Sequence, residues 1–333
     1  MIDTGAMGAQ VDISCMDRPR AARIAIIANP TAGRSAAGRA LPQIRRALAQ
    51  SARSGEVAYY TTSERGEGET LARSAIAAGA SLIVACGGDG TLYEVANAVL
   101  AAENPRLVLG LIPFGTGNDF ARAVGLRGDL DIAMEALVSG EQRAIDAGMI
   151  EGEGLVSPRR FLVAAGIGFV ADTARTVNAG IRGLTGPAAY VWGAIKTLRG
   201  FQPVHMNVAF DGEAPVEMHS MLMSISNVAT TGGGIRIAPD ATPDDGFFDV
   251  CIARQMSKAR LLSKLPAAFA GRHVHDPDVT IRKSRLIEVT TRTPCQLWIE
   301  GEVQGTTPAR FTIQPGALQV MLPRSSSSRP SRA

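Results

Sequence analysis

The chain has 333 residues, 46% hydrophobic and 20% charged, which supports sizeable buried cores, is too long for one minimal domain and excludes a largely disordered protein. Lys and Arg number 34 against 31 Asp and Glu, and only 5% of residues are aromatic. That balance excludes an ordinary nucleic-acid surface and leaves a local attraction to phosphates or anionic lipid headgroups open.

Residues 1–22 carry Asp3, Asp12 and Asp17 without an apolar run, so they read as a flexible tail and not as a signal peptide. The branched apolar stretch 23–28 predicts a buried strand, followed by the turn Asn29-Pro30-Thr31-Ala32-Gly33 and a helix over 35–50. Strand 56–61 with helix 68–79, strand 81–86 with helix 92–102, and strand 106–112 with a short helix repeat that order. The repetition predicts an α/β N-terminal domain with an open parallel sheet and right-handed crossovers.

After about residue 140 strand-like runs dominate, at 160–165, 204–210, 218–227, 247–253, 286–291, 296–299 and 317–322. Asp211-Gly212 is a hairpin signal, and helices are expected at 187–198 and 258–270. A mostly antiparallel second domain follows. The expected division is a tail at 1–22, the α/β domain at 23–142, the β-rich domain at 143–316, a strand at 317–323 returning to the first domain, and a disordered polar tail at 324–333. The 4 cysteines form no CxxC pair, and no apolar run reaches the roughly 18 residues a membrane span needs. The expected location is the cytoplasm, at most peripheral at the inner face of the membrane.

The chemistry falls on glycine turns at successive strand ends: 29–33, Gly87-Gly88-Asp89-Gly90-Thr91 and Gly115-Thr116-Gly117-Asn118-Asp119. In an open parallel sheet such loops converge on one crevice, where glycine lets backbone N–H groups approach phosphate. Neither GxxxxGK[ST] nor GxGxxG is present, so the nucleotide must be held differently. A carboxylate at Asp89 would repel phosphate unless a metal or a catalytic duty offsets it. Together with Asp119 and Asp146 it suits Mg²⁺, which prefers oxygen ligands. Asp119 reads equally as an acid at a helix N-terminus.

Gly87–Thr91 (GGDGT), with NPTAG upstream and IPFGTGNDFAR at 112–122, resembles the catalytic domain of the diacylglycerol kinase family, which includes bacterial soluble lipid kinases and is related to sphingosine and ceramide kinases. GGDG alone is shared with NAD kinases and phosphofructokinases; the combination is far more specific. The likeness continues through Gly166-Ile167-Gly168-Phe169, Pro239-Asp240-Ala241, Asp244-Asp245-Gly246 and Glu300-Gly301-Glu302, covering roughly 23–323. It implies an NAD kinase/diacylglycerol kinase-like α/β domain beside a β-sandwich-like one, with the active site between them. It places ATP on Asn29, Pro30, Thr31, Ala32, Gly33, Thr62, Gly88, Asp89, Gly90, Thr91, Leu92, Tyr93, Glu94 and Thr116. A structural Mg²⁺ is implied on Thr242, Asp245 and Phe247, the catalytic base on Glu302, and a metal-linked acid network on Asp89, Asp119 and Asp146. Two positions depart from the pattern: Tyr93 replaces an Asn, and Glu300 replaces an Asp.

The expected activity is an ATP-dependent lipid kinase acting on diacylglycerol. Ceramide or another long-chain alcohol, an NAD kinase-like soluble acceptor, and a non-catalytic nucleotide- or lipid-binding pseudokinase are the alternatives. The expected partners are ATP, a neutral lipid and a membrane surface, with no nucleic acid; a homodimer stays open. Tyr190, Trp192, Ile195 and Leu198, among Arg182, Lys196 and Arg199, read as a packed helix or as a membrane-facing one. Met218, Met221 and Met223 read as adaptable core or as an acyl-chain lining.

Overall fold

The computed structural model describes residues 23–51, 56–126, 128–179 and 187–324. The tails expected at 1–22 and beyond Arg324, and 180–186 of the basic–apolar segment, lie outside the described residues. In chain order β1 (Ile24–Ala28), α1 (Ala32–Ala49), β2 (Val57–Thr61), α2 (Glu67–Ala77), β3 (Leu82–Gly87), α3 (Asp89–Ala101) and β4 (Val108–Pro113) alternate strand with helix. Two short helices follow, α4 (Asp119–Ala123) and α5 (Leu130–Ser139). β1, β3 and β4 are buried at every position, so they read as continuous apolar runs without alternation. They pair in parallel with β2 in the order β2-β1-β3-β4.

The remainder comprises β5 (Glu141–Glu153), β6 (Arg159–Phe161), β7 (Ala164–Gly168), α6 (Phe169–Asn178), α7 (Pro187–Leu198), β8 (Val204–Phe210) and β9 (Val216–Ser226). It continues through β10 (Phe248–Arg254), α8 (Lys258–Phe269), a 3-10 turn at Arg272–His275, β11 (Val279–Ser284), β12 (Leu286–Thr291), β13 (Gln296–Ile299) and β14 (Glu302–Leu322).

The expected fold class, an open parallel α/β sheet beside a separate sandwich-like domain, is corrected here. All 14 strands belong to one hydrogen-bonded sheet. Its larger part is a closed antiparallel barrel: β7 pairs β9, β9 pairs β8, β8 pairs β12, β12 pairs β14, β14 pairs β13, and β13 returns to β7. The parallel strands are an extension of that barrel, not a sheet of their own. The physical reason is β14. Its first half closes the barrel, and its last residues pair in parallel with β4 at Gln319↔Val108 and Val320↔Leu109. Closure removes the exposed edges that an open antiparallel sheet would have to protect.

Alternation along the barrel strands decides what faces the cleft. In β13, Leu297 and Ile299 join the barrel interior with Ile167, Met223, Ile225 and Phe311, while Trp298 points outward to the other core. Met221 packs with α7 and α8 residues outside the barrel, and Met218 is half-buried against the barrel interior.

Candidate active site

Asn29 shapes the first turn: its side-chain oxygen accepts from the Thr31 N–H at 3.0 Å and from the Thr31 hydroxyl at 2.8 Å. Gly33, Arg34 and Ser35 follow in left-handed conformations, so regular helix begins only after Ser35. The second and third turns touch. A β-carbon on Gly115 would lie 2.7 Å from the Gly88 Cα and 2.6 Å from the Asn118 side-chain oxygen. Only glycine lets the two backbones approach so closely. These turns, with residues 62–65, enclose a polar cleft of about 430 Å³.

Beside it lies a second, smaller cleft of about 220 Å³, lined by Asp89, Asp119 and Glu300 with Thr231, Gly233 and Trp298. Thr116 lines both. Asp89 accepts the Asn118 N–H at 2.7 Å and the Asp119 N–H at 3.0 Å. Asp119 is 3% exposed; one carboxylate oxygen accepts the Gly233 N–H at 2.8 Å, and the other accepts no hydrogen bond but lies 3.7 Å from the Arg122 guanidinium. Glu300 and Gly301 form the two-residue turn between β13 and β14, both at positive φ (53° and 91°). That turn aims the Glu300 carboxylate at the N–H groups of Leu162 (2.5 Å) and Val163 (2.6 Å).

Crowding carboxyl groups away from water shifts the protons of Asp89 and Glu300. Burial, reinforced by the Asp119 charge and opposed by the two backbone N–H groups, pushes Asp89 up to about 6. Burial pushes Glu300 up to about 8 against its two N–H bonds, with Asp89 and Asp119 adding repulsion. A cation beside Asp89 and Asp119, whose carboxylates both approach Gly117, would relieve their repulsion. No group of three or more His, Cys, Asp or Glu among the described residues makes a complete metal cage. Mg²⁺ needs none, because it usually takes one or two carboxylates and fills its shell with substrate phosphate and water. The Asp119 oxygen that accepts no hydrogen bond fits that role, with the loose Arg122 ion pair giving way to the cation.

Of the residues expected to hold ATP, Asn29, Thr31, Ala32, Gly33, Thr62, Gly88, Gly90, Thr91, Glu94 and Thr116 line the polar cleft. Pro30 lies in the same turn, its carbonyl accepting the Gly38 N–H at 3.2 Å. Leu92 and Tyr93 do not line it; both are buried. The Tyr93 hydroxyl accepts from Arg159 Nε at 3.0 Å, and Arg159 also binds Glu69, so the departure at Tyr93 serves packing between β6 and the helices. Glu94 caps α2, accepting the Gly66 and Gly68 N–H groups at 2.8 and 2.9 Å. Ser63, Glu64 and Arg65 were not anticipated, since nothing in a polar loop marks them.

Glu302 is half-buried and paired with Arg65 at 3.0 Å, beside the polar cleft. Asp146 is not gathered with Asp89 and Asp119. Its oxygens accept the Gly246 and Gly316 N–H groups, each at 2.7 Å, tying β5 to the 243–246 loop and to β14. In that loop Thr242 is exposed, Asp245 accepts the Phe247 N–H at 3.0 Å, and Asp245 is ion-paired with Lys283, which also binds Asp249 at 3.1 Å. The Lys283 ammonium thus already brings positive charge to the place expected for a cation on Thr242, Asp245 and Phe247. Glu300 is the acid that motif reasoning left without a role; its signal is the two-residue turn directly before Glu302.

A phosphate-sized cradle of glycine turns opening onto buried carboxylates defines a phosphotransferase. Residues 23–150 match the diacylglycerol kinase catalytic domain, and residues 162–322 match the YegS C-terminal NAD kinase beta sandwich-like domain. A diacylglycerol kinase of Bacillus subtilis (strain 168) is 30% identical over 303 residues, 91% of this chain and 97% of its own. One from Staphylococcus aureus (strain Newman) is 31% identical over 291 residues, 87% of this chain and 89% of its own. A crystal structure of a diacylglycerol kinase from Bacillus anthracis str. Sterne shares the fold with a TM-score of 0.70 at 20% identity, covering 93% of this chain and 98% of that one. The chain belongs to the diacylglycerol kinase family, and its activity is that of an ATP-dependent lipid kinase.

Proposed function

We propose that the protein transfers the γ-phosphoryl group of ATP to the free hydroxyl of a diacylglycerol, giving phosphatidic acid. One observation carries this reading: the polar cleft between the glycine turns and the acid cleft adjoin at Thr116, so donor phosphate and acceptor hydroxyl can meet there. The turns at 29–33, 88–91 and 115–116 cradle the phosphates with backbone N–H groups, and the N-terminus of α3 adds a favourable dipole. Glu302 takes the hydroxyl proton as the oxygen attacks the γ-phosphorus and the bond to the β-phosphate oxygen breaks. Asp89 holds the acceptor hydroxyl in line. Mg²⁺, held by Asp119 and Asp89 with the nucleotide, would neutralise charge on the β- and γ-phosphates.

The acceptor lives in a membrane, and no helix among the described residues is long and apolar enough to cross one. Trp192 and Ile195 of α7 and Leu262 of α8 are exposed large hydrophobics, with Lys196, Arg199 and Lys258 exposed nearby in sequence. That mixture suits docking on an anionic bilayer face. The deciding experiment offers γ-labelled ATP with diacylglycerol, ceramide or NAD to the purified protein in mixed micelles. Labelled phosphatidic acid is expected; phosphorylated NAD without a lipid product would end this reading.

A further inference from the structure

One cation faces the nucleotide. Among the described residues Arg65 is the only Lys or Arg that lines the polar cleft; the others are glycine, alanine and small polar residues, with Glu64 and Glu94. The chain has no GxxxxGK[ST] lysine to meet the charge of a triphosphate.

The loop that carries Arg65, between β2 and α2, is tied down on both sides of it. The Ser63 N–H and hydroxyl donate to Glu67 at 2.6 and 2.9 Å, and the Gly66 N–H donates to Glu94 at 2.8 Å. The Arg65 side chain is instead 75% exposed, and its Nε lies 3.0 Å from one carboxylate oxygen of Glu302. Gln304 Nε2 donates to the other Glu302 oxygen at 2.9 Å. Both oxygens of the base are therefore engaged before any substrate arrives. An ion pair this exposed is weak, whereas a phosphate offers a guanidinium two parallel, charge-assisted bonds. The chemistry of transfer fixes which phosphate. The attacking hydroxyl lies within hydrogen-bond reach of the base and about 3–3.5 Å from the γ-phosphorus. A side chain that already touches Glu302 reaches the γ-phosphoryl oxygens with little movement.

We propose that Arg65 is a catalytic residue that moves between two partners. In the empty enzyme its guanidinium covers Glu302; when ATP enters, it passes to the γ-phosphoryl oxygens and leaves Glu302 free for the acceptor. During transfer the bond from the acceptor oxygen to phosphorus forms and the bond to the β-phosphate oxygen breaks. The hydroxyl proton goes to Glu302, and Arg65 balances charge on the phosphoryl oxygens. The base is thus uncovered only when there is a phosphoryl group to transfer. The inference rests on the lipid-kinase reading with Glu302 as base, and adds the cation that couples nucleotide to base.

The test is titration calorimetry of ATP and ADP, with Mg²⁺ and without lipid, on the wild type, Arg65→Gln, Glu302→Gln and the double variant. Arg65→Gln should weaken ATP by about fivefold or more and ADP by less than about twofold, since ADP lacks the γ-phosphate. Glu302→Gln removes the competing carboxylate and should tighten ATP about two- to fivefold, a gain that vanishes in the double variant. Lipid phosphorylation by Arg65→Ala should fall by about 10²-fold or more and recover in part with added guanidinium ion but not with urea. Equal losses of ATP and ADP affinity in Arg65→Gln would overturn the proposal, as would a Glu302→Gln gain that persists in the double variant. If the wild type phosphorylates no lipid, the kinase reading falls, and the difference between ATP and ADP still decides whether Arg65 meets the γ-phosphate.

Discussion

Glu300 and Asp89 hold protons more tightly in the folded protein than in the unfolded chain, with folded-state values of about 8 and about 6. The native state therefore binds more protons than the unfolded state between the ordinary carboxylate range and about pH 8. That contribution to stability is complete in acid and is lost as pH rises through those two values. Thermal unfolding of the ligand-free protein should thus shift to lower temperature from pH 5 to pH 8, and Glu300→Gln should flatten the profile. A wild-type profile that rises over this range would remove the crowding of the three acids as its cause. Glu302→Gln keeps size and removes the proton acceptor, so nucleotide binding should survive while turnover falls by about 10²–10⁴-fold. Asp89→Asn should also abolish turnover, and it should weaken binding of the Mg²⁺–nucleotide as well, because it removes a carboxylate that would share the cation with the phosphates. Titration calorimetry beside lipid phosphorylation separates the two variants. Asp89 and Asp119 were legible as chemistry because they interrupt glycine turns. The shift on Glu300 was not, because it comes from burial against residues such as Leu162 and Val163, more than 130 positions away in the chain.

The elements that hold the nucleotide depend on backbone proximity. Adding a β-carbon at Gly115 drives it into the Gly88 backbone, which cannot swing aside as a flexible side chain could. Gly115→Ala should therefore cost about 1–3 kcal/mol of stability and weaken ATP binding, read by denaturant melts and nucleotide titration. Unchanged affinity would show that the two turns do not cradle the phosphate together. Most helices, and the strands with unbroken apolar or alternating runs, were readable from the sequence. β5, β11 (Val279–Ser284) and the first half of β14 were not. β5 begins and ends in charged residues and places Gly148 directly beneath the Phe161 ring, where any side chain would collide. β14 contains Pro308, Pro315, Gly305 and Gly316, which ordinarily punctuate turns. Here they fall at its irregularities: Gly305 at the register shift against β13 between Val303 and Thr306, Pro308 between Thr306 and Ala309, and Pro315 and Gly316 between Gln314 and Leu318.

At the scale of the whole molecule the two sequence halves share a strand and therefore a fate. β14 pairs with β12 and β13 in the barrel, with β5 along most of its length, and with β4 among the parallel strands. Calorimetry should record one cooperative unfolding transition; two resolved transitions would show that the halves fold independently. Local patterning could not reveal this closure, since the partners that close the barrel lie far apart in the chain and are chosen only on folding. The Pro315-Gly316 irregularity in β14 has a mechanical consequence. The proposed base stands at the first residue of this strand, and the strand ends against β4, whose following loop carries Asp119. Between those points the Asp146 carboxylate, fastened to the Gly316 N–H, ties the strand to β5, so the spacing of base and acid is braced at its middle.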